Sequence, residues 1–194
     1  MPRNPIGLLL RNRRAGEGSL VWADPALAAR EESSSDPSFA LTSPAFAHGA
    51  PIPPRFRGRL RGENVSPPLE WTAPPAGTRE LVLVVEDPDV PFRKPATHAL
   101  TVGIDPESRG LVEGGLTDPA PVPGLRHGHG PLGRRGYAGP MPIPSHGAHA
   151  YVFQLFALDR PTDLASGFRL SEARAVMAGH VLARARLDGT YEIA

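Results

Sequence analysis

Arg79-Glu80-Leu81-Val82-Leu83-Val84-Val85-Glu86 runs straight into Asp87-Pro88-Asp89-Val90-Pro91, and this junction decides the fold class. Five consecutive aliphatic residues without alternation read as a strand buried on both faces. The two prolines beyond them cannot donate to a sheet ladder, so the strand ends there in a rigid turn. Working outward, His98–Ile104 and Tyr151–Leu158 have the same strand character. Between them Pro106–Pro140 is dense in glycine and proline and reads as loop.

Towards the C-terminus, Ser171 is placed to cap a short helix that ends at Gly179. From His180 to Leu187, His180, Leu182, Arg184 and Arg186 alternate with Val181, Ala183, Ala185 and Leu187, and this period of two is a strand pattern. The 24 prolines and 21 glycines in 194 residues argue against a helix bundle. The fold class is mainly β: a β-sandwich with short peripheral helices. No internal repeat is present.

Residues 1–37 differ in character from the rest of the chain. Met1–Ala23 holds Arg3, Arg11, Arg13 and Arg14 against the single acid Glu17, and Glu31–Asp36 is a polar, serine-rich linker. The division expected is an N-terminal arm and linker over 1–37 and a globular domain over 38–194. Ile6, Leu8, Leu9, Leu10 and Trp22 are too apolar for a solvated tail, so the arm is expected to pack on the domain or on a dimer mate.

The composition narrows the function classes. Zero cysteines exclude disulfides, thiolate metal sites and a cysteine nucleophile. A net charge of +1 gives no global attraction to nucleic acid, so none is expected as a partner. No apolar run approaches the ~20 residues of a transmembrane helix. Ile6–Leu10 is shorter than a secretory core and is followed at once by arginines, which predicts a cytoplasmic protein. Without a secretory signal, Asn64-Val65-Ser66 carries no meaning as a glycosylation acceptor.

His98, His127, His129, His146 and His149 concentrate between positions 98 and 149, just after Asp87 and Asp89. Three chemistries compete for them. A metal site is suggested by His146-x-x-His149 and His127-x-His129. Yet histidines three apart share a face only on a helix, and Pro140-Met141-Pro142-Ile143-Pro144 precludes one. A hydrolase using His98, His146 and His149, with Ser145 as nucleophile, lacks a Gly-x-Ser-x-Gly elbow. The third chemistry is an anion pocket, in which imidazoles and glycine-rich turns donate to oxyanions and Asp87 orients a histidine. The plainest alternative leaves Asp87 and Asp89 as turn formers.

Asp87-Pro88-Asp89-Val90-Pro91, then His98, Gly139-Pro140 and His149-Ala150-Tyr151-Val152-Phe153 resemble, in order and spacing, the signature pieces of the phosphatidylethanolamine-binding family. Ser43-Pro44-Ala45-Phe46, Gly62–Trp71 and Leu155–Asp159 are similar to its bacterial, Raf kinase inhibitor-like branch. The resemblance covers about residues 39–194. It implies a Greek-key β-sandwich with a small pocket for phosphate or a phospholipid headgroup, no catalysis, no metal and no cofactor. Asp87, Pro91, His98, Gly139, Pro140, His149 and Tyr151 would line it, with His98 and His149 donating to ligand oxygens and Tyr151 at the rim. A regulated protein partner and a homodimer are also implied. Ala99 and Ala150 depart from the tryptophan and arginine common in the branch, and His48 stands where an acid is common.

Overall fold

The computed structural model describes residues 3–30, 39–130 and 133–194. The expected linker Glu31–Asp36 and the boundary at 37/38 lie outside the described residues. Among the described residues there are eight strands: β1 Leu41–Thr42, β2 Leu69–Trp71, β3 Glu80–Asp87, β4 Ala96–Ile104, β5 Gly110–Leu111, β6 Arg126–His127, β7 His149–Leu158 and β8 Val181–Tyr191. Two α-helices flank them, α1 Pro5–Leu10 and α2 Leu170–Met177. These strands pair antiparallel, in a small sheet β1-β2-β5 and a large one β6-β4-β3-β7-β8. β7 returns from a long excursion to pair with β3, the non-local connection of a Greek-key sandwich.

Every residue of β3 is buried, as the unbroken aliphatic run requires. Its two faces serve two cores. Leu81, Leu83 and Val85 join Leu41, Leu69, Trp71 and Phe153 between the sheets. Val82 and Val84 point the other way, to Phe156, Ala173, Met177, Val21 and Leu27. The second core therefore contains part of the N-terminal arm.

The arm divides into two stretches. Leu20, Val21 and Leu27 are almost wholly buried, and the Val21 and Trp22 N–H groups donate to Glu86 Oε2 (2.9 Å) and Gln154 Oε1 (2.7 Å). Arg184 stacks on the Trp22 ring at 4.3 Å. Burial pushes the Glu86 carboxyl upward, partly offset by its bonds to Gln154 and Val21. Along α1, by contrast, Ile6 and Leu9 are 61% and 81% exposed. The apolar residues that anchor the arm are thus Leu20, Val21, Trp22 and Leu27, whereas Ile6 and Leu9 face outward.

The C-terminal helix begins one residue ahead of the expected cap. Arg169 stands at the N-cap and its N–H is satisfied by Glu172 Oε2 at 2.7 Å, so Ser171 lies inside the first turn. Gly179 ends the helix at φ +73°, a left-handed conformation that favours glycine. β8 then extends to Tyr191, four residues beyond the alternating stretch.

Removing the Leu27 side chain should leave a cavity in the second core. Leu27→Ala is expected to cost about 2–5 kcal/mol in denaturant unfolding, although the residue belongs to the arm. A change below about 0.5 kcal/mol would show that the arm is not part of the folded unit.

Candidate functional site

The site is built where β3 ends and β7 begins, because the antiparallel register of these strands brings their termini side by side. Asp87 closes β3, and its carboxylate folds into the turn, taking the Asp89 N–H on Oδ1 at 2.7 Å. Its other oxygen, Oδ2, lies 2.7 Å from His149 Nδ1 at the start of β7. Both side chains are nearly inaccessible, 3% and 1% exposed. Asp89 turns outward, where it accepts the Ala150 N–H and pairs with Arg14.

His98 reaches the site through an irregularity in the ladder. Val85 pairs with Ala99 and Glu86 with Thr97, so His98 is the extra residue of a bulge in β4. Bulges re-aim side chains in this way. Its Nδ1 donates to the Ala138 carbonyl at 2.5 Å, and its own carbonyl accepts from Ala138 N. This double link ties His98 to the neighbouring Gly139-Pro140 turn. Asn64, at φ +59°, holds the turn from behind, receiving the Gly139 N–H and donating to Tyr137 O. Gly139 has no room for a side chain, since a Cβ would come within 2.5 Å of the Phe56 carbonyl.

The His98 ring meets Tyr151 edge-on at 5.0 Å. Burial holds His98 below its usual range, outweighing its bond to Ala138 and the charge of Asp87. With Nδ1–H committed to a carbonyl, neutral His98 presents Nε2 as an acceptor. The Tyr151 hydroxyl is buried near the Asp87 carboxylate and the Met141 backbone but without a well-formed hydrogen bond, and burial, then the Asp87 charge, push its pKa far up. It stays a donor at any physiological pH. Buried hydroxyls normally have partners, which makes this one a marker of the site.

Structure thus brings Asp87, His98, His149 and Tyr151 into one cluster beside Gly139-Pro140, while half-buried Pro91 closes the turn at its edge. Among the described residues no group of three histidine or acidic side chains is set to hold a metal ion. The pair His146 and His149 meets despite the absence of a helix. Ser145 at φ +63° and Gly147 at φ +109° fold the chain back, leaving His146 Nδ1 2.8 Å from His149 Nε2. Ser145 Oγ instead accepts the Asn4 N–H at 3.0 Å. Among the described residues, neither histidine is paired with a hydroxyl nucleophile.

Sequence reasoning missed Asn64, Arg14 and the Leu10 carbonyl, which accepts from His146 Nε2 at 2.8 Å. For Asn64 a signal existed, the tolerance of asparagine for left-handed backbone; a carbonyl leaves none. A cavity of about 330 Å³ opens beside α1 between Arg3, Leu8, Arg11 and Ser145, and contains none of the residues expected to line the anion pocket.

A sandwich of two antiparallel sheets with a buried carboxylate, imidazoles and a glycine-proline turn at one end agrees with what the resemblance to the phosphatidylethanolamine-binding family implies. The family model for phosphatidylethanolamine-binding protein matches residues 42–192, and the chain belongs to that family. It is 41% identical over 152 residues to a UPF0098 protein of Methanothermobacter thermautotrophicus, covering 78% of this chain and 97% of the relative. Among solved structures, a phosphatidylethanolamine-binding protein homologue from Chlamydia trachomatis superposes with a TM-score of 0.72 at 33% identity, over 81% of this chain and 99% of that one. Escherichia coli YbcL shares the fold, with a TM-score of 0.76 at 24% identity and the same coverage. No helix among the described residues is long and apolar enough to cross a membrane.

The lowered pKa of His98 has a consequence for stability. A histidine held neutral in the folded state binds fewer protons than in the unfolded chain, whose value is near 6.5. Its contribution is present above that pH and lost as pH falls below it. Chemical unfolding at pH 7.5 and 5.5 should show a larger acid loss for the wild type than for His98→Gln. Equal losses would refute a buried neutral imidazole.

Proposed function

We propose that this chain is a non-enzymatic binding protein for a small phosphate-like group, the phosphate itself or a phospholipid headgroup. The observation that carries this reading is the buried Tyr151 hydroxyl, which makes no well-formed hydrogen bond, beside His98, whose Nε2 makes no hydrogen bond among the described residues. A hydroxyl donor next to an imidazole acceptor suits a ligand with an anionic oxygen and a hydrogen-bond donor of its own. A phosphomonoester carrying one proton has both. So does a phosphodiester bearing an ammonium group, which would also lie near Asp87. His98 therefore accepts from the ligand, and His149 holds Asp87 in place. Regulation of a protein partner, as by a kinase inhibitor, and a homodimer are implied by the family resemblance. A cytoplasmic location belongs to the same proposal.

Calorimetric titration with glycerophosphoethanolamine and glycerophosphocholine tests the donor requirement, because the quaternary ammonium of the second has no N–H. The ethanolamine compound should bind more tightly. Tyr151→Phe should weaken it roughly tenfold or more, since a hydrogen bond to a charged group is worth ~1.5–3 kcal/mol. No preference and no effect of Tyr151→Phe would place the ligand elsewhere.

Catalysis is not expected. Ser145, the hydroxyl nucleophile adjacent to the histidine pair, has its oxygen turned to Asn4. Generic phosphoesters and carboxylic esters should show no turnover above background. Turnover abolished by His149→Ala in a folded variant would reverse this conclusion.

A further inference from the structure

We infer that the N-terminal arm is a removable cover over the anion site, so that arm docking and ligand binding compete. This rests on the binding reading above, but the observations behind it are separate. Residues 4–16 lie outside the region matched by the family model and cross both loops that carry the site. On the turn after β3, Ala15 N donates to Val90 O at 3.0 Å and Gly16 N to Pro88 O at 2.9 Å, while Arg14 pairs with Asp89. On the loop before β7, Asn4 N donates to Ser145 Oγ, Arg14 reaches the Ala148 carbonyl at 3.2 Å, and Leu10 O accepts from His146. A strap thus spans the two walls, and polar groups of the site between those walls are buried: Asp87 2%, His149 1% and Tyr151 1% exposed.

The strap is fastened by polar contacts and one tight fit, not by a core. Gly7 packs so closely that a Cβ would come within 1.9 Å of the Pro144 carbonyl, a backbone atom that cannot swing aside. Of its large apolar side chains, Ile6, Leu8 and Leu9 are exposed and only Leu10 is half-buried, so they contribute little to holding it down. The anchor lies farther on, at Leu20, Val21 and Leu27. Residues 4–16 can therefore lift while the rest of the arm stays docked. Segments with few buried apolar contacts open at a small fraction of the global unfolding free energy. If the strap is closed nine-tenths of the time, the apparent affinity of a ligand needing the open state falls roughly tenfold.

The test uses the full chain carrying Gly7→Val, which cannot seat against Pro144, and separately Arg14→Glu, which places a second acid beside Asp89. Hydrogen exchange at the Ala15 and Gly16 amides reads the strap, and titration with glycerophosphoethanolamine reads the site. Faster exchange together with binding about tenfold tighter in either variant supports the cover, as does faster exchange of these amides in wild type when glycerophosphoethanolamine is added. Freed amides with unchanged or weaker binding overturn the cover and leave the binding reading standing. Freed amides with no binding in any form overturn both. Amides as protected in both variants as in wild type show that the strap is not a separable unit, and the proposal fails.

Discussion

The hydrogen bond between Asp87 and His149 is the contact on which the site's other placements depend. A carboxylate taken out of water costs several kcal/mol unless its oxygens are bonded. Asp87 meets this demand with His149 Nδ1 on one oxygen and the Asp89 N–H on the other. The first bond joins the end of β3 to the start of β7; the second shapes the proline-rich turn. His149 is then fully buried with its far nitrogen facing inward. That nitrogen needs a partner in turn, and His146 supplies it. His146 ends the series on the Leu10 carbonyl. One buried charge thus prescribes a turn, a reversed loop and the position of the arm.

Counting hydrogens along this series gives its charge. A carbonyl only accepts, so His146 Nε2 carries a hydrogen; an ionised carboxylate only accepts, so His149 Nδ1 carries another. One more lies between the two rings. Three hydrogens on two imidazoles make a single positive charge, which Asp87 balances. The chain of bonds is therefore complete only with one shared proton.

Much of the fold was legible because it obeys local rules. The run Leu81–Val85 could only be a strand covered on both sides, and the structure covers it with the second sheet on one face and α2 with the arm on the other. The turn at Asp87–Pro91 and the stop at Gly179 come from proline and glycine stereochemistry. For the site, spacing offered candidates and the family resemblance selected among them. What sequence could not convey was direction. His98 faces the site because β4 bulges at that residue, and a bulge is a property of two paired strands, not of one. His146 meets His149 through two left-handed residues, a contact that helix-based spacing had argued against. The Leu10 carbonyl is backbone, and no residue type announces it.

The arm illustrates how apolarity and burial part company. Ile6-Gly7-Leu8-Leu9-Leu10 is its most apolar stretch, yet the residue of this helix that packs most tightly is glycine. A close approach between backbones, Gly7 to Pro144, sets α1 on the loop, and that approach leaves the neighbouring side chains pointing away. Leu20, Val21 and Leu27, spread along irregular chain without helical periodicity, supply the anchoring hydrophobic contacts instead. Hydrophobic burial is cooperative with the whole core, whereas α1 depends on individually replaceable polar bonds. The same arm thus combines a permanent root with a tip of much lower local stability, and the tip is the part laid across the loops of the site.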